Sequence, residues 1–194
     1  MQLNQRILDL FHQGMTQAVA AQVPEPTAMT LATAQLNGQP SARTVLLKQI
    51  NEQGFTFYTN RTSRKGQHLI DNPKASLVFW WREIEQQVLV DGRVVSVSDA
   101  EADAYFASRP RGSQIGAWAS LQSSVLDSRD ELVQRVAELE QQYQHRDVPR
   151  PPHWSGFTLE PDRVEFWYGR EYRLHERICF AASEDTWQEG LLYP

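Results

Sequence analysis

Cysteine is nearly absent from this 194-residue chain: Cys179 is the only one. A lone thiol excludes an intrachain disulfide and a cysteine-based metal site, and it fits a reducing, cytoplasmic setting. Cys179 stands in Ile178-Cys179-Phe180, which reads as a buried strand and makes the thiol an inert core group. The five histidines, His12, His68, His145, His153 and His175, do not pair at zinc-site spacing, and HExxH does not occur, so no metal is expected. GxGxxG and the P-loop are missing, which leaves a nucleotide-binding parallel sheet without support; GxSxG is missing too. No stretch approaches the roughly 20 apolar residues of a membrane span. The opening Met1-Gln2-Leu3-Asn4-Gln5-Arg6 leads into a polar-interrupted segment rather than a secretory signal. Repeats and low-complexity tracts are absent. An excess of base is also lacking: the net charge is -5 and the pI near 5.5, so nucleic acid is not an expected partner.

Against that acidic balance, cationic residues gather in particular places. Ser108-Arg109-Pro110-Arg111-Gly112-Ser113-Gln114-Ile115-Gly116-Ala117-Trp118 puts two arginines close to a serine. Such a set suits phosphate oxygens, and its alternative is a solvated Arg-rich turn. Thr59-Asn60-Arg61-Thr62-Ser63-Arg64-Lys65-Gly66-Gln67 follows a strand-like run and opens a short helix that Ser63 or Thr62 caps. A helix start carries free N–H groups and partial positive charge, and Arg64 and Lys65 add to its pull on an anion. Acidic residues are the usual choice there, so an exposed basic first turn is the less common alternative. In Arg173-Leu174-His175-Glu176-Arg177, strand alternation would put Arg173, His175 and Arg177 on one face, against an anion or on a solvated edge.

The elements read as follows. Residues 3–21 form an amphipathic helix with Ile7, Leu10, Phe11, Met15 and Val19 on one face, broken by Pro24-Glu25-Pro26. Strands are expected at 28–34, 42–50, 55–59, 75–81 and 87–97, with Asp91-Gly92 as a hairpin turn or a bulge. Ser98 with Glu101 and Ser128 with Glu131 are capping boxes for helices through Phe106 and Tyr143. A Pro149-Arg150-Pro151-Pro152 loop precedes strands at 156–159, 164–168, 173–180 and 187–192. Many short strands with tight turns and a few helices predict an antiparallel barrel with helical decoration, in one domain over 1–194 with residues 1–22 as a helix packed on the barrel.

The ordered motifs Arg43-Thr44-Val45-Leu46-Leu47-Lys48, Phe57-Tyr58-Thr59-Asn60, Ser63-Arg64-Lys65, Gln86-Gln87-Val88, Ser108 through Trp118, Gln122-Ser123-Ser124, Val164-Glu165-Phe166-Trp167 and Arg173 through Arg177 resemble the pyridoxine/pyridoxamine 5′-phosphate oxidase family over about residues 25–194. The resemblance implies a mainly β fold with helices (α+β), a split antiparallel β-barrel, and a homodimer with FMN between the subunits. It implies FMN contacts from Arg43, Thr44, Val45, Leu46, Leu47, Lys48, Tyr58, Thr59, Arg64, Lys65, Gln87, Gln122, Ser123, Trp167 and Arg177, some of them from the partner. It implies that Lys48, Tyr105, Arg109 and Ser113 bind the substrate's 5′-phosphate, with Arg173, Leu174 and His175 over the pyridine ring and Arg173 and His175 nearest the chemistry. Tyr105 precedes Arg109 by four positions, so one helical face could carry both.

The implied reaction oxidises pyridoxamine or pyridoxine 5′-phosphate to pyridoxal 5′-phosphate by hydride loss to FMN, with dioxygen reduced to hydrogen peroxide. Alternatives are a related FMN oxidase with another, phenazine-type substrate, or a module that holds FMN or pyridoxal phosphate without turnover. Some positions depart from the family pattern. The chain starts almost at its first helix, where many members have an Arg-rich arm; Leu191 stands where Arg is common, and Glu176 where Asp is frequent.

Overall fold

The computed structural model describes residues 2–194. Helix α1 (Gln5–Ala20) starts where Asn4 Oδ1 accepts from the Ile7 N–H at 2.9 Å. Its buried face carries Ile7, Leu8, Leu10, Phe11 and Ala18; Val19 is exposed, outside the face expected for it. Phe11 meets Phe55 and Phe79 edge-on, with centroids 5.2 and 5.1 Å apart, and this aromatic knot fastens α1 to the sheet.

The strands are β1 (Ala28–Ala34), β2 (Pro40–Leu46), β3 (Gln49–Asn51), β4 (Gly54–Asn60), β5 (Lys74–Trp81), β6 (Gln86–Ser96), β7 (Trp154–Tyr168), β8 (Glu176–Ser183) and β9 (Thr186–Leu191). Helix α2 (Arg64–Asp71) follows β4; α3 (Asp99–Ser108), α4 (Arg111–Ala119) and α5 (Arg129–Gln142) fill the gap between β6 and β7. Every strand pair is antiparallel, in the order β2-β1-β5-β6-β7-β4-β3, with β8 and β9 branching from β7. The two ends of that path, β2 and β3, are joined by Leu47 and Lys48 alone, so the sheet must curl back on itself. The Leu47 N–H bonds the Thr27 carbonyl and the Lys48 N–H bonds the Thr56 carbonyl, both at 2.9 Å, at the seam.

The barrel splits along β7. Residues 154–159 pair with β4 and residues 163–168 with β8, while β6 runs beside both halves. Asp91-Gly92 is not a hairpin turn: β6 runs through it, and the register shifts there because Asp91 pairs with Arg163 and Gly92 with Pro161, leaving Asp162 of β7 as the extra residue of a bulge. Proline is tolerated at such a break in the ladder. Gly92 is required there, because a Cβ would lie 2.2 Å from the Glu160 carbonyl oxygen. The two strands expected at 156–159 and 164–168 are therefore one.

Other expectations change as well. The strand expected at 42–50 breaks at Leu47, which turns into the core. Helix α4 was not foreseen. Arg173 lies in a tight turn, Glu171–Arg173, with Tyr172 and Arg173 at φ 57° and 63°, so Arg173, His175 and Arg177 do not alternate along one strand. Arg109 lies just past α3 in extended backbone (φ -73°, ψ 148°), so it does not share a helical face with Tyr105.

Candidate functional site

A cavity of about 480 Å³ opens where β2, β4, α2, α3 and α4 converge on the start of β7. Its wall takes Thr44, Val45 and Leu46 from β2, Lys48 from the seam, Tyr58 and Thr59 from β4, Lys65 from α2, Tyr105 from α3, then Arg109, Ser113, Gln122 and Trp154. No carboxylate lines it.

One end is built on the start of α2. Ser63 Oγ accepts from the Gly66 N–H at 3.3 Å, which fixes the first turn. Gly66 fits closely: a Cβ would lie 2.4 Å from the Arg61 carbonyl oxygen. Lys65 Nζ donates to Gln122 Oε1 at 2.6 Å and to Thr59 Oγ1 at 3.2 Å, and the Arg64 N–H donates to Ser123 Oγ at 3.1 Å. Arg43 stands behind them, donating to the Leu31 carbonyl, Thr33 Oγ1 and Ser41 Oγ. The group repels itself. Burial and then Arg43 push Lys65 down to about 8, and burial and then Arg64 lower Arg43. Beneath them, buried His68 sits 3.0 Å from Thr33 Oγ1 through Nδ1; burial, then Arg64 and Arg43, hold it below its usual range. Cations packed this way without an acid are relieved by an anion.

The other end is aromatic. Tyr58 stacks on Tyr105, with centroids 4.0 Å apart, and on Trp154 at 5.2 Å. Burial, followed by the charge of Glu101, pushes Tyr58 up to about 12. Gly156 makes room for that stack, since a Cβ there would lie 2.6 Å from the Tyr58 ring. Arg109 lies over Trp154 with Nη1 buried and unpartnered, and burial lowers its pKa. A buried, unpartnered guanidinium nitrogen beside a cavity suits a phosphate oxygen.

The remaining residues named from the sequence lie elsewhere. Gln87 sits in register between Trp80 and Trp167 on the far part of the sheet. His175 packs on Trp167 at 4.5 Å and accepts the Arg170 N–H through Nδ1, which leaves Nε2 as the protonated position. Arg177 grips buried Glu165 with Nε and Nη2 at 2.7 and 3.0 Å and donates Nη1 to the Tyr193 carbonyl. Arg173 and Leu174 are exposed. None of these six lines the cavity. Gly156 to Trp167 is 11 residues of β7, or about 35 Å of strand.

Trp154 and Gly156 were not read as site residues; an aromatic at the start of a strand and a glycine two positions on carry only a faint signal of close packing. A larger surface cavity of about 660 Å³, between α4 and the end of α5, offers less. There Arg111 already donates to the Tyr143 and Arg146 carbonyls, and Glu140 and Asp147 stand beside the bases.

An antiparallel barrel that splits along one long strand, with helices closing a carboxylate-free cationic cavity, defines a split-barrel protein. The chain belongs to the pyridoxamine 5′-phosphate oxidase family. Residues 15–143 match the family model for pyridoxamine 5′-phosphate oxidase, and residues 154–194 match that for the pyridoxine 5′-phosphate oxidase C-terminal dimerisation region. The chain is 55% identical over 177 residues to a pyridoxine/pyridoxamine 5′-phosphate oxidase of Acaryochloris marina, covering 91% of this chain and 81% of that one. It is 53% identical over 190 residues to one of Myxococcus xanthus, covering 98% and 90%. Among solved structures it resembles PhzG of Burkholderia lata in complex with tetrahydrophenazine-1-carboxylic acid, at 34% identity and TM-score 0.92, covering 96% and 92%. A pyridoxamine 5′-phosphate oxidase-related FMN-binding protein of Nostoc punctiforme shares the fold, with TM-score 0.76 at 16% identity.

Proposed function

We propose that this chain oxidises pyridoxamine and pyridoxine 5′-phosphates to pyridoxal 5′-phosphate, as a homodimer with FMN bound at each site and dioxygen as electron acceptor. The observation that carries the reading is one acid-free cavity with cations at both ends, which suits two phosphates, one on the cofactor and one on the substrate. Curated relatives at 53–55% identity bearing that oxidase name support it.

On this reading Arg43, Arg64, Lys65 and Ser123 hold the FMN phosphate at the start of α2. Thr44, Val45, Leu46, Tyr58, Thr59 and Gln122 lie along the flavin, and Leu47 supports them from the core. Bound FMN supplies a two-electron acceptor that dioxygen regenerates with release of hydrogen peroxide. Lys48, Tyr105, Arg109 and Ser113 hold the substrate phosphate, which fixes the oxidisable carbon in place. The stack of Tyr58, Tyr105 and Trp154 excludes water from that side. Gln87 of β6, Trp167 near the far end of β7, and Arg173, Leu174, His175 and Arg177 beyond it do not line this cavity on their own chain, so a second copy brings them. Arg173 then covers the substrate ring, and Nε2–H of His175 is the position from which a proton is offered to it.

The test is an anaerobic visible spectrum of the purified protein before and after pyridoxamine 5′-phosphate. A yellow protein whose flavin band bleaches and returns with air is the expected result. A yellow protein that does not bleach refutes the substrate and favours a second reading, an FMN oxidase with a different substrate, which the likeness to PhzG supports.

A further inference from the structure

Among the described residues, every arginine ion pair involves Arg150, Arg163, Arg170 or Arg177. Arg109 is held differently. Its guanidinium lies 4.8 Å from the centroid of Trp154 and 5.6 Å from that of Phe106, with no acid paired to it and Nη1 buried and unpartnered. A half-buried cation ordinarily finds a carboxylate. Here aromatic faces take that place, and the difference is chemical. A carboxylate would occupy the N–H donors and repel a phosphate dianion at the same spot. A ring face attracts the cation from the side, leaves the in-plane N–H groups free and brings no negative charge.

Trp154 is itself firmly set. Its ring is parallel to Tyr58 and edge-on to Phe106, and its backbone pairs with Asn60 of β4. Its carbonyl accepts Arg150 Nη1 at 2.8 Å, and Arg150 in turn grips Asp99 and Asp103 of α3. The backbone of Trp154 is thus tied to the start of α3, while its ring holds the residue just past the end of α3.

We infer that Trp154 is a positioning residue for Arg109: its indole face takes the place of an acidic partner, so that a substrate phosphate meets a free and pre-oriented guanidinium. The inference rests on Arg109 being the substrate-phosphate ligand. It is tested on the FMN-loaded protein by calorimetric titration with 4-deoxypyridoxine 5′-phosphate, which lacks the oxidisable group. The series is wild type, W154F, W154L, R109A and W154L/R109A, with flavin content and melting temperature followed for each.

W154L is expected to weaken binding about tenfold, W154F to restore most of that loss, and W154L to cost nothing further once Arg109 is gone. An equal loss from W154L in the R109A background overturns the inference, because the indole would then touch the ligand or act only through the fold. A W154F protein as weak as W154L overturns it too. Should W154L not fold, Trp154→Met replaces it in the series and keeps apolar bulk without a ring face. Wild-type protein that fails to bind the ester, or R109A protein that binds it as wild type does, overturns the functional reading of Arg109 instead, and so is told apart.

Discussion

Lys65 makes the phosphate end of the cavity sensitive to pH in a direction the structure fixes. Its pKa is lowered to about 8 by burial and then by Arg43, and no acid lines the cavity to offset them. A bound phosphate dianion favours the protonated amine, so anion affinity is full below pH 8 and falls as pH rises through it. With that pKa the charged fraction drops from about nine-tenths at pH 7 to about one-tenth at pH 9, so FMN affinity should fall about tenfold over that span. The ligand does not confound the slope, because a phosphate monoester with a second pKa of about 6 is already a dianion across this range. The neighbours do not confound it either. Arg43, though lowered, stays charged, His68 is held below its usual range, and Tyr58 is pushed up to about 12. The assay is quenching of FMN fluorescence by flavin-stripped protein at several pH values, with Lys65→Met alongside. The variant should bind weakly with a flat profile. A flat wild-type profile, or a slope that survives in Lys65→Met, would refute the reasoning.

Arg64→Ala should purify colourless, since it removes a cation from the α2 start; full retention of FMN by absorbance would contradict the anion site there. Gly156→Ala forces a methyl to 2.6 Å from the Tyr58 ring between two paired strands, so a loss of about 1–3 kcal/mol is expected in thermal melting, with weaker FMN binding. An unchanged melt would show that the ring moves freely. Glu165→Gln leaves Arg163 and Arg177 facing a 3% exposed neutral group, and breaking such a buried set costs about 3–5 kcal/mol. Burial pushes the Glu165 carboxyl up, but hydrogen bonds from Arg177 and Arg163 outweigh it and hold it below its ordinary value. Its contribution is therefore complete above the unfolded carboxylate range and fades as pH falls through the folded value, so the variant should lose that part of the wild-type acid limb in urea melts taken between pH 3 and 7.

Local chemistry made much of the fold legible. Strand β1 and the Ser63, Ser98 and Ser128 caps fall where alternation and side-chain oxygens put them, because each depends on neighbours a few residues away. Helix α4 was illegible for the opposite reason. Its first turn contains Gly112 and Ser113, Gly116 lies further in, and Pro110 offers no side-chain cap. What holds it is tertiary: Ile115 is buried, and Gln114 Nε2 donates to the Phe106 carbonyl at 3.0 Å. The cationic clusters were legible because acid-free basic groups conflict with the chain's net charge. Trp154 was not, because the same residue in a plain core would leave the same sequence.

The one long strand, β7, decides how the site is assembled. Read as two short strands, 156–159 and 164–168 could fold back and bring Trp167, His175 and Arg177 over Tyr58 in a single chain. Pro161 invites that reading, but the extra residue Asp162 absorbs the break as a bulge opposite Asp91-Gly92 and β7 runs through unbroken. Once continuous, β7 sets the two groups about 35 Å apart along its length, which is the ground for proposing that a second copy closes the cavity. The family's dimerisation region begins at Trp154, the first residue of β7, and covers every member of the far group except Gln87 of β6. The strand that forms one wall of the cavity is, in the proposed homodimer, also the arm that presents the far group to a partner. On the proposed homodimer, a change at the bulge would therefore weaken the partner's site while leaving its own Lys65 and Arg109 ends in place.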